Sequence, residues 1–184
     1  MEAPDRASFR AWLAANHAAS PGIWLVYHKK ASPETSVSYD EAVEEALCFG
    51  WIDSKAKPID GHRYRQMFTP RKPGSVWSRL NKERVERMVA AGLMTEAGMA
   101  KIEAARSDGS WAILDSVEAL EEPDDLAAAL DAVPAARAFF DGLAPSRKKP
   151  ILYWVVSAKR EATRRQRIAR IVALAAEGKT PADG

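Results

Sequence analysis

The chain has 184 residues, of which 47% are hydrophobic and 28% charged, a composition typical of a soluble globular protein with a sizeable core. Its 27 basic and 25 acidic residues leave a net charge of +2, so the overall charge does not point to nucleic acid. A single cysteine excludes an intramolecular disulfide, and the lack of an apolar signal core or membrane span predicts a cytoplasmic protein without membrane insertion.

The first elements along the chain are a helix, a strand and a second helix. Apolar residues recur at helical spacing over residues 5–15, which predicts an amphipathic helix. Residues 23–27 are apolar at every position, which is typical of a central strand covered on both faces. Ser38 and Glu41 then form the capping-box pattern at the start of the second helix.

A hairpin follows this helix. Strands over residues 51–57 and 62–69 flank Pro58-Ile59-Asp60-Gly61, and Asp-Gly is a favoured hairpin turn. A loop of two or four residues puts two sets of side chains on one face of the sheet: Trp51, Asp53, Lys55 and Lys57 with His62, Tyr64, Gln66 and Phe68. A loop of three residues would swap the faces of one strand.

The rest of the chain is predicted to be helical. A helix from about Ser78 to Ala91 is expected to face inward through four apolar residues: Leu80, Val85, Met88 and Val89. One long final helix is predicted from near residue 146 or 150 to residue 177. The fold class is therefore α+β, with a small antiparallel sheet of about three strands packed by helices and an all-helical C-terminal portion. We expect an α+β domain over residues 1–115 and a helical portion over 116–184 packed on it.

Common catalytic and metal-binding motifs are absent from the sequence. It has no glycine-rich phosphate loop, no nucleophile elbow and no His-Glu-x-x-His. His17, His28 and His62 lack the spacing of metal ligands. We therefore predict no metal, no cofactor and no catalytic residue.

Asp53 is the most informative carboxylate, because it follows Trp51 and Ile52 in a strand and is expected to be partly buried. A buried carboxylate needs a cation or several hydrogen-bond donors, and Lys55, Arg65 and Arg71 are plausible partners. Two alternatives stay open: an internal salt bridge that fixes the hairpin, or the polar floor of a pocket.

The start of the next helix favours an anion, because free amides and the helix dipole meet there. The predicted ligand-binding residues are Asp53, Lys55, Arg65, Arg71, Ser75, Trp77 and Asn81. In this hypothesis the cations neutralise the ligand, Ser75 and Asn81 donate hydrogen bonds, and Trp77 stacks. Asp53 orients Lys55 or Arg65.

The densest basic run lies near the C-terminus and includes Lys159, Arg160, Arg164, Arg165 and Arg167. A solvated face with ion pairs such as that of Glu161 with Arg165 is the simpler interpretation. Nucleic-acid binding is the alternative, because phosphate contacts require clustered cations.

Six motifs in a fixed order carry a family resemblance: Phe-Gly-Trp-Ile-Asp-Ser (49–54), Phe-Thr-Pro-Arg-Lys (68–72), Ser-x-Trp-Ser-x-x-Asn (75–81), Gly-x-Met-Thr-x-x-Gly (92–98), Asp-Gly-x-Trp (108–111) and Trp-x-x-x-Ala-Lys-Arg (154–160). With this set the chain resembles the bacterial YdeI/OmpD-associated family, also called bacteriocin-protection proteins, over nearly its whole length. The resemblance implies stress or antimicrobial tolerance, and it implies no particular catalytic residues.

The leading hypothesis is therefore a cytosolic stress-tolerance protein that binds a small anion or an acidic partner and is not an enzyme. One alternative is nucleic-acid binding through the last helix. The other is an enzyme that uses Asp53 as an acid or base.

Overall fold

The computed structural model describes residues 1–29 and 32–183. Its elements in chain order are α1 (Arg6–Asn16), β1 (Ile23–His28), α2 (Tyr39–Cys48), β2 (Trp51–Pro58), β3 (Arg63–Pro70), α3 (Arg79–Ala90), α4 (Glu96–Ser107), α5 (Ile113–Glu118), α6 (Asp124–Asp131), α7 (Pro134–Asp141), α8 (Pro145–Val156) and α9 (Glu161–Ala176). The strands form one antiparallel sheet in the order β1-β3-β2. The predicted α+β class, with helices alone in the C-terminal part, is confirmed.

Two compact units divide the chain, Met1–Trp111 and Ala112–Gly184. The first contains the sheet and α1 to α4, and the second contains α5 to α9. The domain division at residues 115 and 116, with one portion packed on the other, stays a prediction. No helix in the described part of the chain combines the length and apolar character that crossing a bilayer requires.

The core of the first unit lies between one face of the sheet and α1 and α2. Leu25 and Phe68 are fully buried on this face, and the ring of Phe9 from α1 meets that of Phe68 edge-on at 5.5 Å between centroids. The Ser38–Glu41 capping box is present, which confirms that prediction and fixes the start of α2. Helix α2 in turn packs against β2, α3 and α4.

Strand β1 is an edge strand, so its prediction as a central strand was wrong. Leu25 and Tyr27 are buried, whereas Trp24 and Val26 on the opposite face are only half-buried. Trp24 is partly covered by the Arg65 guanidinium, which lies 4.6 Å from its ring centroid. Long cationic side chains cover apolar surface in this way, so a fully apolar strand does not need a second packed layer.

The hairpin contains a β-bulge that changes the predicted faces. Trp51 pairs with Pro70 and Asp53 with Phe68, as a two- or four-residue loop predicts. The register then shifts between Asp53 and Ala56, and Lys57 pairs with Arg65. Because a one-residue shift moves every later side chain to the other face, Lys57 does not share a face with Asp53.

The buried face of α3 is more basic than its apolar spacing predicts. Val85 and Met88 are buried as expected, but Leu80 and Val89 are exposed. Lys82 and Arg84 are buried in addition. Arg84 pairs with Asp40 of α2, and the Lys82 ammonium lies 5.3 Å from the ring centroid of Trp111. These partners lie far away in the sequence, so the spacing along α3 could not indicate them.

The predicted long final helix is two helices, α8 and α9. Helix α8 ends at Val156 with Ser157 as its C-cap, and Arg160 has extended backbone angles immediately before α9. The break lets α9 pack against α6, α7 and α8. Fully buried apolar residues of this second core include Leu126, Leu130, Phe140, Leu152 and Ile171.

Gly98 sets the distance between α4 and the end of α2. A Cβ at residue 98 would lie 2.3 Å from the Cys48 carbonyl oxygen. The hydroxyl and the backbone N–H of Thr95 both donate to that same oxygen, at 2.6 and 3.2 Å. Only glycine therefore permits this close approach.

We expect Gly98→Ala to lower the free energy of unfolding by about 1–3 kcal/mol, the usual cost of an overpacked site, although alanine favours helix more than glycine does. Denaturant unfolding measures this change. Gly61→Ala is the matched control, because no atom of the described residues lies within 4 Å of an added Cβ there, and it should change the stability by less than about 0.5 kcal/mol. A Gly98→Ala protein as stable as the wild type would contradict the close approach.

Candidate functional site

Arg71 lies directly after β3 and is buried, with 4% of its surface exposed. Its backbone N–H donates to the Gly50 carbonyl oxygen at 2.9 Å, which holds the end of β3 against the start of β2. The guanidinium carbon lies 3.6 Å from the ring centroid of Trp77, which is itself fully buried. The two terminal nitrogens reach the Val76 carbonyl oxygen at 3.4 Å each, and Nε has no hydrogen-bond partner in residues 1–29 and 32–183.

The charge of Arg71 is therefore only partly compensated. Burial lowers the pKa of Arg71 to about 10, and the negative charge of Asp53 acts in the opposite direction. The group still carries its proton at neutral pH. A buried cation without a paired carboxylate is unfavourable unless other groups stabilise it. Here the Trp77 ring and the Asp53 charge give part of that stabilisation.

Arg71 lines a cavity of about 40 Å³, together with Ser75, Trp77, Lys101 and Ser110. We call this the Arg71 cavity. Ser110 is 2% exposed, and its Oγ is a second buried polar atom with no hydrogen-bond partner in the described part of the chain. One water molecule needs roughly 10–15 Å³ of cavity volume. The Arg71 cavity therefore has room for a few water-sized groups or one small ion.

Charged groups of both signs line the Arg71 cavity. The two Asp108 carboxylate oxygens accept from the backbone N–H groups of Gly74 at 3.1 Å and Ser110 at 2.9 Å. Asp108 thereby fixes the two loops that form the cavity wall. Lys72 and Lys101 add positive charge, and neither ammonium has a hydrogen-bond or ion-pair partner among the residues that the structure describes.

Asp53 is held by neutral donors, so its predicted pairing with Lys55 or Arg65 was wrong. Its Oδ2 accepts from the Tyr39 hydroxyl and from Gln66 Nε2, both at 2.9 Å. Gln66 is reachable because it lies on the same face of β3 as Phe68, the residue opposite Asp53. The bulge and the alternation of side chains direct Arg65 to the other face.

The seven predicted ligand-binding residues do not all lie together. Arg71, Ser75 and Trp77 line the cavity, and the charge of Asp53 acts on Arg71. Three residues lie elsewhere: Arg65 against Trp24, Lys55 exposed in the bulge, and Asn81 with its Oδ1 accepting from Arg84 at 3.0 Å. Ligand binding by any of them stays a prediction.

Lys101 and Ser110 complete the cavity wall, and neither was predicted from the sequence as a site residue. Lys101 lies on α4 and Ser110 in the turn after it, 30 and 39 residues beyond Arg71. The Asp108-Gly109 pair does indicate a turn there. Nothing local indicates that this turn returns to Arg71.

The basic run of the second unit is largely paired within the chain. The Arg164 guanidinium makes two hydrogen bonds to Asp125, at 2.6 and 2.7 Å, and Arg165 pairs with Glu161. Arg167 donates to the Trp154 carbonyl oxygen at 2.5 Å. Two further members of the run, Lys159 and Arg160, are exposed at the break before α9. Nucleic-acid binding by the run stays a prediction.

The comparisons with known proteins divide the chain in two. Residues 1–101, more than half of the chain, match the family model of a domain of unknown function, DUF8412. The chain belongs to this family. Residues 119–178 match a second model, described as "Bacteriocin-protection, YdeI or OmpD-Associated", which confirms the predicted resemblance over that part. No match was found among the curated proteins or among the solved structures.

The YdeI/OmpD-associated match is narrower than the resemblance predicted from the motifs. Of those motifs, only the last, at 154–160, lies inside the matched part. The motifs at 49–54, 68–72, 75–81 and 92–98 fall within the DUF8412 part. Most of the Arg71 cavity therefore belongs to the DUF8412 domain.

In the described residues no group of three or more His, Cys, Asp or Glu side chains could hold a metal ion.

The hydrogen bond between Tyr39 and Asp53 gives a measurable property of this region. Burial, with a further contribution from this bond, raises the pKa of Tyr39 to about 12. We expect Asp53→Asn to lower it towards its ordinary value near 10, because the negative charge is lost while an acceptor oxygen remains. Phenolate absorbance titration of wild type and variant measures the change, with Tyr39→Phe to assign the signal.

The raised pKa of Tyr39 also determines how the stability of the protein changes with pH. A phenol whose pKa is higher in the folded than in the unfolded protein stabilises the fold below pH 10, and this contribution is lost as the pH rises towards 12. The loss of stability as the pH rises from 10 towards 12 should be smaller in Tyr39→Phe than in the wild type. An unchanged Tyr39 titration in Asp53→Asn would contradict the coupling.

Proposed function

We propose that this protein protects bacterial cells against bacteriocins or related stress, and that it acts in the cytoplasm by binding a small oxyanion or the acidic group of a partner in the Arg71 cavity. The description of the family matched by residues 119–178 supports the biological role. The Arg71 cavity supports the binding role. Catalysis is not part of the proposal.

One observation carries the binding role: two buried polar groups without partners line the same small cavity. Arg71 Nε and Ser110 Oγ both lack a hydrogen-bond partner in the described residues. Leaving such groups unsatisfied costs about 1–3 kcal/mol each, and more for a charged one. An oxyanion that accepts a hydrogen bond from both groups would remove this cost and neutralise the guanidinium.

The charges around the cavity favour a negatively charged ligand. Arg71, Lys72 and Lys101 line the cavity, whereas the carboxylate of Asp108 already accepts two backbone hydrogen bonds. Arginine also suits oxyanions because its planar group presents several donors in a fixed arrangement. A cavity of about 40 Å³ admits a phosphate, or one carboxylate of a larger partner, and excludes a bulky organic body.

Covalent catalysis has little support in the same unit. Cys48 is fully buried, and burial raises the pKa of its thiol to about 11. The thiol is therefore protonated at neutral pH, whereas nucleophilic cysteines require a lowered pKa. Asp53 accepts hydrogen bonds from Tyr39 and Gln66, an arrangement that also serves a purely structural carboxylate.

We expect inorganic phosphate to raise the unfolding temperature of the wild-type protein with increasing concentration, since a ligand that binds the folded state stabilises it. Lys101→Gln should weaken phosphate binding, and Arg71→Met should weaken it about 10- to 100-fold, because a hydrogen bond to a charged group contributes about 1.5–3 kcal/mol. Calorimetric titration at constant ionic strength measures both.

Arg79→Gln is the matched control, because this exposed arginine lies near the cavity in sequence but does not line it. Its phosphate affinity should equal that of the wild type. Bacteria expressing the wild type or Arg79→Gln should survive a bacteriocin challenge better than those expressing Lys101→Gln. Equal phosphate binding by all variants, or equal protection by a folded Lys101→Gln protein, would remove the Arg71 cavity from the proposed function.

A further inference from the structure

A second, larger pocket lies within the YdeI/OmpD-associated part and the segment that follows it. We call it the α8 pocket. Its volume is about 660 Å³, and one wall is a face of α8 that includes Pro150, Tyr153 and Trp154. Arg170 of α9 and the segment 180–182 complete it. The volume falls within the range of roughly 300–1,000 Å³ that is usual for small-molecule sites.

The segment beyond α9 is fixed in place by specific contacts. Gly178 has a φ of 71°. The backbone N–H groups of residues 178 and 179 donate to the carbonyl oxygens of Ala175 and Leu174. Together these features form a Schellman motif, which reverses the chain. The N–H and the hydroxyl of Thr180 both donate to Asp183 Oδ2 at 2.7 Å. Arg147 of α8 pairs with the same carboxylate at 2.8 Å. This wall of the pocket is thus bonded to α8.

The surface of the α8 pocket is mainly apolar and aromatic. Tyr153 is 39% exposed although its ring is large, and Trp154 is half-buried beside it. Pro150 and Pro181 add rigid apolar surface. Such a surface favours a flat or aliphatic body, because stacking and removal of apolar area from water both contribute there.

The charges at the α8 pocket indicate the polar group of the ligand. Among the residues that the structure describes, the charged ones lining the pocket are two arginines, and none is a carboxylate. The charge of Arg147 is neutralised by Asp183. Arg170 has neither a hydrogen-bond nor an ion-pair partner among residues 1–29 and 32–183, so its guanidinium is available to a ligand. Arginine binds a carboxylate with two parallel hydrogen bonds.

We propose that the α8 pocket binds a small amphipathic organic acid, with its apolar body against Tyr153 and Trp154 and its acidic group at Arg170. This site is separate from the Arg71 cavity, which is too small for such a body. A neutral molecule with the same body would bind without the contribution of Arg170. A cationic one would be repelled by it.

Three probes with the same ring test the proposal: 2-naphthylacetate, 2-(2-naphthyl)ethanol and 2-(2-naphthyl)ethylamine. Calorimetric titration of the full chain should give the tightest binding for the acid, about 10-fold weaker binding for the alcohol, and the weakest for the amine. Arg170→Gln should lower the affinity for the acid to that for the alcohol, since a charge-assisted hydrogen bond raises the binding affinity about 10- to 100-fold.

Two further variants test the place of binding. Ala182→Trp fills the pocket from its exposed segment and should abolish binding of all three probes. Arg165→Gln is the control, because Arg165 lies on α9, pairs with Glu161 and does not line the pocket, so its affinities should be those of the wild type.

These measurements distinguish binding in the α8 pocket from binding in the Arg71 cavity. Lys101→Gln should leave naphthylacetate binding unchanged, and a loss in that variant would assign the acid to the Arg71 cavity. Equal affinity for acid and amine, an unaltered affinity in Arg170→Gln, or no binding of the acid by the wild type at millimolar concentration would overturn the proposal.

Discussion

The packing of the Arg71 guanidinium against the Trp77 indole determines the arrangement of the first unit. The two groups are 3.6 Å apart and both are buried, so the chain between them must turn back within six residues. The backbone N–H of Arg71 also bonds to Gly50, which joins the end of β3 to the start of β2. A Cβ at Gly50 would in turn lie 2.8 Å from the Ala97 carbonyl oxygen of α4. The entry to α3, the sheet and α4 therefore meet at Arg71 and its backbone partner Gly50.

Local sequence signals predicted the elements, and long-range partners decided the details. The Ser38–Glu41 capping box and the Asp-Gly turn act within a few residues, so α2 and the hairpin could be predicted from the sequence. The position of β1 at the edge depends on strand order, which no local pattern contains. The β-bulge after Asp53 has no glycine or proline to indicate it, and it redirected Lys57 to the other face.

The candidate site was predictable to the extent that its residues are neighbours in sequence. Arg71, Ser75 and Trp77 lie within seven residues, and all three line the same cavity. Asn81 follows in the same helix but accepts a hydrogen bond from Arg84, which in turn pairs with Asp40. Lys101 and Ser110 arrive from α4 and its turn through tertiary packing, so the cavity wall could not be derived from spacing alone.

The two proposed sites use arginine under opposite conditions, and this difference sets their selectivity. Arg71 is already removed from water in the folded protein, so an anion bound as proposed would meet a fixed donor in a small space and would be selected by its size. Arg170 remains exposed, and an exposed guanidinium alone attracts an ion only weakly because water screens the charge. Affinity at the α8 pocket must therefore come mainly from an apolar body that also excludes water from Arg170. A bare oxyanion and an aromatic acid, although both are negative, should thus prefer different units of the same chain.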